Sequence, residues 1–193
     1  MPAITVAKTP IARDPGYLYY GPLATSLPAN TVAGSVFTDT WPAGWAPWGV
    51  TRSGSEFQYS VTTDNIEAAE YLDPLVIVTT GRAAQVAFEC IILSATTMKR
   101  ALNGGTVTTS GSGATLLTTV TPPIPGAEVR SMVGWEAQDG TERMVMEQVF
   151  QAGTITIGRA KGSANAGVTM EFHAELPSSG FPFQYFTAGA ARG

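Results

Sequence analysis

The 193-residue chain reads as a mainly β protein: an antiparallel β-sandwich or partial barrel with one short flanking helix and extended N- and C-terminal arms. Three observations predict this. Apolar and polar residues alternate at period two over Glu56–Val61, Gln85–Ile92 and Val168–Leu176, as half-buried strands require. Tight-turn signals such as Asp139-Gly140 separate short runs of this kind. A single segment, opened by Ser94 and closed by Gly104-Gly105, has the caps and spacing of a helix.

In chain order, residues 1–15 contain Pro2, Pro10 and Pro15 and no periodicity, which predicts an arm ahead of one domain spanning 16–180. Gly16–Gly21 is a short aromatic strand, and PLATSLPANT after it is a turn-rich connection. Residues 39–55 gather Trp41, Trp45 and Trp48 among Pro and Gly, an irregular packed loop leading into a strand. On that strand Glu56, Gln58 and Ser60 alternate with Phe57, Tyr59 and Val61. Asp64, Glu67, Glu70 and Asp73 then interrupt the apolar pattern, so residues 61–80 are expected as a charged loop too long for a simple hairpin. Val86, Phe88, Cys90 and Ile92 alternate with Gln85, Ala87, Glu89 and Ile91 on the next strand. The helix is expected over 95–103, with Met98, Ala101 and Leu102 inward. GGTVTTSGSG is a flexible loop or weak hairpin, Thr115–Val120 a strand and TPPIPGA a turn. Glu128–Ala137 and Glu142–Gln151 flank the Asp139-Gly140 turn, and Thr154–Arg159 is a further strand. On the last strand Val168, Met170, Phe172, Ala174 and Leu176 face one way, and Thr169, Glu171, His173 and Glu175 the other. Residues 181–193, FPFQYFTAGAARG, form a C-terminal tail.

Charged residues are 13 % of the chain, against about 25 % in an average soluble domain. The deficit is localised: Asp39 is the only charge from Tyr17 to Val50, and Lys99 and Arg100 the only ones from Cys90 to Ala127. Long neutral tracts rich in Trp, Tyr, Pro and Thr point to surface covered by neighbouring subunits. Net charge is −4 with no basic cluster, which argues against tight binding of nucleic acid or anionic membranes. The opening sequence lacks the pattern of a secretion signal, and no run approaches 18 apolar residues, so a soluble chain without a membrane anchor is expected. The lone Cys90 falls on an apolar strand face as a small hydrophobe.

Residues arranged for catalysis are not legible, and no cofactor is expected. His173, the only histidine, lies on a polar strand face away in sequence from any Cys. Gly111-Ser112-Gly113 lacks the strand-turn-helix setting of a nucleophile elbow, and GTITIGR lacks the Lys-Ser/Thr of a phosphate loop. Asp64, Glu67, Glu70 and Asp73 do not follow a calcium-loop pattern and fit a subunit-contacting loop better than a glycosidase pair. Trp41, Trp45 and Trp48 could form a carbohydrate-binding platform, the mark of a sugar- or receptor-binding sandwich used as a capsid decoration or tail-tip adhesin.

Several short motifs occur in an order that resembles the major tail tube proteins of long-tailed bacteriophages. Gly16-Tyr17-Leu18-Tyr19 followed by Pro22-Leu23-Ala24-Thr25-Ser26-Leu27-Pro28 is similar to the family's opening strand and P-L-G-T-x-x-P turn, with Ala24 where glycine is usual. Trp48-Gly49-Val50 to Gly54 is similar to its glycine-bracketed hairpin. Asp64–Glu70 and Asp73-Pro74 match its acidic excursion, ahead of the strand Ala83–Leu93 and the helix. Gly134-Trp135-Glu136 to Glu142-Arg143 matches its later hairpin.

The resemblance implies a non-enzymatic virion protein, assembled in the host cytoplasm, whose homohexameric rings stack into the hollow tail tube through which genomic DNA is ejected. Its partners would be itself, the tape measure, tail-tip and tail-terminator proteins, and DNA in transit without tight binding. The tube protein of a contractile injection system shares this logic. Six subunits giving four strands each, at about 4.8 Å spacing and a tilt of up to roughly 40°, close a barrel about 37 to 48 Å across, wide enough for duplex DNA. Alternation with Phe57, Tyr59, Val86, Phe88, Val133 and Trp135 inward sends Glu56, Gln58, Gln85, Glu89, Arg130 and Glu136 to the lumenal face. Met144, Met146 and Phe150 inward would leave Arg143 and Glu147 there too. Ring-to-ring contacts are expected from Asp64, Glu67, Glu70 and Asp73, and from Phe181, Phe183, Tyr185 and Phe186.

Overall fold

Alternating side chains on neighbouring strands bury one common face only when the strands pair in register, and here they do so around a single core. The computed structural model describes residues 16–66, 76–158 and 167–189; the expected N-terminal arm and Glu67, Glu70 and Asp73 lie outside these. One antiparallel sheet runs, in spatial order, through Ala46–Pro47 (β4), Gly16–Pro22 (β1), Ser131–Ala137 (β9), Glu142–Gln151 (β10), Gly167–Ala174 (β12), Val76–Cys90 (β6) and Thr51–Ile66 (β5). Thr156–Gly158 (β11) pairs with the start of β12, and Gln184–Thr187 (β13) with the first half of β10. Two small hairpins stand apart, Val32–Ala33 (β2) with Val36–Phe37 (β3), and Thr106–Ser110 (β7) with Leu117–Thr121 (β8).

The sheet curls into a partial barrel. Leu18, Val133, Met144, Met146, Val149, Met170, Phe172, Val86, Phe88 and Cys90 from five strands share one buried cluster with Trp48. Each large side chain withdrawn from water there contributes about 1.5–3 kcal/mol. Trp48, 2 % exposed, joins the two ends of the curl. Its amide donates to Leu18 O (2.9 Å), its ring meets Phe88 and Phe172 at 5.3 and 5.4 Å, and Ile91 N donates to Val50 O nearby (3.0 Å). Ala95–Ala101 (α1) caps this end: Ser94 Oγ accepts from Thr97 N (3.0 Å), Ala101 is fully buried, and the Arg100 guanidinium lies 4.5 Å over the Tyr20 ring. The helix stops two residues before the expected end, because Asn103 (φ +54°) leaves the helical path. Its side chain bonds the backbone of Gln151 in both directions, at 2.8 and 2.9 Å.

A second layer covers part of the outer face. Residues 30–45 lie over β1, β9 and β10, with Trp41 stacked on Tyr19 at 4.4 Å and seated on Gly134, where a Cβ would come within 2.2 Å of the indole. Among the described residues, the same faces of β12, β6 and β5 carry no such cover.

Four expectations are corrected. Residues 61–66 and 76–80 are strand, not loop: pairing continues past a bulge at Thr62/Thr63 to Ile66↔Val76, so β5 and β6 form one long ribbon. The C-terminal tail is no free arm, since β13 joins the sheet and Phe183 packs on Phe57 and Tyr59 at 5.1 and 5.4 Å. A bulge between Met146 and Val149 turns Val149 inward and Phe150 outward. Leu176 lies beyond β12 and is exposed.

Candidate functional site

The uncovered face of the sheet is built by register. Gln58, Gln85, His173 and Phe150 are successive cross-strand partners on β5, β6, β12 and β10, and so form one row across four strands. The next row is Glu56, Ala87 and Glu171, and a third pairs Glu89 with Thr169. Amides and carboxylates link along and across the strands. Gln85 Nε2 donates to Gln58 Oε1 (3.0 Å), Gln58 Nε2 to Glu56 Oε1 (2.8 Å), and His173 Nε2 lies 2.9 Å from Glu171 Oε1. Arg52 pairs with Glu89 at 2.9 Å. At the rim Arg130 stacks 4.5 Å over Phe150 and donates to both Glu175 oxygens, at 3.0 and 3.2 Å, which holds the Glu175 carboxyl below its ordinary value.

Glu56, Gln58, Gln85, Glu89 and Arg130 therefore share this surface. The other three residues grouped with them do not line it. Arg143 and Glu136 are cross-strand partners beneath the second layer, with the Arg143 side chain 0 % exposed. Its Nη1 donates to Asp39 Oδ2 (3.0 Å) and Asn30 Oδ1 (3.1 Å), and its Nη2 to Asp39 O (3.1 Å) and Glu136 Oε1 (3.2 Å). Glu136 also accepts from the Trp41 indole. Glu147 sits at the β10 bulge, accepting from Gln184 Nε2 (2.9 Å) and Phe181 N. Conversely, the structure adds Arg52, Glu171, His173 and Glu175 to the face. The alternation over 168–176 already set Glu171, His173 and Glu175 on one polar side, but only strand order places them beside Gln85. With four carboxylates against two guanidiniums, the face is acidic.

The face runs on into the ribbon. From Glu56 to Ile66 and from Val76 to Thr80 every residue is exposed. Ile66, Val76 and Val78 nonetheless form an apolar cross-strand cluster there beside Asp64. Phe181 and Tyr185 are exposed, whereas Phe183 and Phe186 are half-buried against their own subunit. Trp41 and Trp45 are occupied internally, Trp45 Nε1 donating to Ser26 O at 2.9 Å. Among the described residues no three His, Cys, Asp or Glu side chains converge to hold a metal, and no helix is long and apolar enough to cross a membrane. No protein-family model matches the chain, and no curated protein matches it in sequence.

Proposed function

We propose that this chain is a structural, non-enzymatic subunit that assembles with copies of itself into stacked rings forming a hollow tube of the long-tailed-phage tail type, a conduit for DNA. The observation that carries this reading is the β5–β6 ribbon. A two-stranded ribbon exposed on both faces, carrying half-exposed Ile66, Val76 and Val78, gains little stability within one subunit and invites a partner. The uncovered, acid-rich face of β5, β6, β12 and β10 fits the tube interior. Its carboxylates repel duplex DNA over about a Debye length, roughly 8 Å in physiological salt, while lysines in their place would bind phosphate and slow passage.

The turn after β1 adds support. Ala24 adopts φ +66°, and Thr25 N donates to Pro22 O (3.1 Å), the pattern of a type II turn, at the position where the resemblance has glycine. Electron microscopy of the concentrated protein tests the proposal: hollow filaments with a regular axial repeat are expected. A protein that remains monomeric at every concentration, in the presence and absence of particle extracts, would overturn it.

A further inference from the structure

We propose that Asn103 is a site of covalent self-modification. Its side-chain amide is lost in the unfolded chain, is held inert by the fold, and once lost leaves a chain that cannot rebuild the contact closing α1 onto the end of β10. The site is independent of whether copies assemble.

The fold itself calls for the reactive dipeptide. Past α1 the backbone takes positive φ at three successive residues, Asn103 (+54°), Gly104 (+116°) and Gly105 (+91°). Asparagine is among the few residues with a side chain that enter the left-handed region readily. Gly104 admits nothing larger without strain, since a Cβ there would also come within 3.1 Å of Val129 Cγ2. Of Asn30, Asn65, Asn103 and Asn165, only Asn103 precedes glycine. With no Cβ on the following residue, its amide nitrogen reaches the asparagine side-chain carbonyl carbon most easily.

Water is the only co-reactant. Gly104 N gives its proton to solvent base and bonds to Asn103 Cγ, the Cγ–Nδ2 bond breaks, and Nδ2 leaves as ammonia. Water then opens the succinimide ring, giving aspartate by attack at Cγ or isoaspartate by attack at the main-chain carbonyl carbon.

Folding blocks the first step. Asn103 is 8 % exposed, its Oδ1 accepts from Gln151 N (2.9 Å) and its Nδ2 donates to Gln151 O (2.8 Å). The peptide unit joining it to Gly104 is pinned at both ends, because Asn103 O accepts from Val129 N (2.8 Å) and Gly104 N donates to Lys99 O (2.9 Å). Gly104 N cannot turn onto Cγ while these bonds stand. After conversion the contact is lost. An aspartate would set an oxygen against Gln151 O in a buried site where an amide had donated, and an isoaspartate would insert a carbon into the backbone between α1 and Gly104.

The test incubates the full chain at mildly alkaline pH, in native buffer and in urea above its unfolding midpoint, and follows amide-to-acid conversion at each asparagine by peptide mass spectrometry. In urea Asn103 should convert ahead of Asn30, Asn65 and Asn165. In native buffer its conversion should be about a thousandfold slower or more, in step with the unfolded fraction. Chain aged in urea and refolded should show a population with a lowered urea midpoint, in proportion to conversion at Asn103, and N103D made directly should show a lowered midpoint or fail to fold. Similar rates at Asn103 in native buffer and urea, earlier conversion of another asparagine in urea, or an unchanged midpoint in N103D would overturn the proposal.

Discussion

Replacing Arg143 with methionine isolates the buried ion cluster beneath the second layer. The arginine is 0 % exposed and holds two acidic residues, Asp39 and Glu136, through hydrogen bonds of 3.0 to 3.2 Å while its guanidinium lies 4.7 Å from the Phe37 ring centre and 5.2 Å from that of Trp41. Methionine fills comparable space but leaves both carboxylates without a cation in a poorly solvated site. Breaking one side of such a cluster costs about 3–5 kcal/mol. For a chain of this size each kcal/mol moves Tm by about 2–4 °C, so a fall of about 6–20 °C is expected. Urea unfolding followed by tryptophan fluorescence measures it, because Trp41 sits in the cluster. R143M combined with D39N and E136Q should recover most of the loss, since no uncompensated charge remains.

The pH dependence gives a second readout of the same cluster. Burial alone raises the Asp39 carboxyl, but the Arg143 hydrogen bond and charge, with the Thr31 and Asn30 amides, outweigh it and hold the group below its ordinary 3.8. A carboxyl depressed in the folded state stabilises the fold fully above its unfolded value. That contribution fades as pH falls below about 4 through the folded value. R143M should lose this acid-side slope. A loss in R143M under about 1 kcal/mol, with the slope unchanged, would refute the reasoning.

Two further outcomes follow from single positions. Ala24 occupies a left-handed conformation costing about 1–2 kcal/mol for an L-residue, so A24G should raise stability by about 1 kcal/mol after the unfolded-chain entropy of glycine is counted; a lower urea midpoint would refute this. Burial raises the Cys90 thiol to about 11 against a smaller opposing effect of Arg100, so at pH 8 it stays a protonated, inaccessible thiol. Its labelling by a disulfide reagent should track unfolding as urea is added, and stoichiometric labelling within seconds in native buffer would contradict the buried placement.

Strand identity was legible wherever one face alone is buried. Over Val168–Phe172 and Val86–Cys90 the alternation assigned the inward residues, and the Ser94 cap and the Asp139-Gly140 turn stand where their chemistry requires. Legibility failed where a strand is covered on both faces or on neither. Arg143 looked like a surface residue because its polar parity is correct, and only the folding of residues 30–45 over it makes that side an interior. The ribbon beyond Val61 has no buried face to enforce a pattern, so its carboxylates read as a loop although the backbone pairs on to Ile66↔Val76. The β10 bulge was invisible for a related reason: an extra residue reverses parity for everything after it, which sent Val149 and Phe150 to the sides opposite those expected. On the candidate face, Glu56, Gln58, Gln85 and Glu89 fall on one side because β5 and β6 pair directly, whereas the residues brought in by β12 depended on strand order.

The uneven covering of the sheet also makes the subunit a mechanically graded object. Where Trp41 and its neighbours lie on β1, β9 and β10, two packed layers resist bending as a laminate does, because curvature would have to shear a close-packed interface. Among the described residues, the β5–β6 ribbon beyond Val61 is a single layer held by backbone hydrogen bonds that tolerate a change of twist. Strain imposed from outside is taken up most easily by twist of the β5–β6 ribbon beyond Val61, since β12 and the Ala84–Cys90 half of β6 are packed into the Trp48 core. An array of such subunits would flex at its joints and flanges while each core keeps its shape.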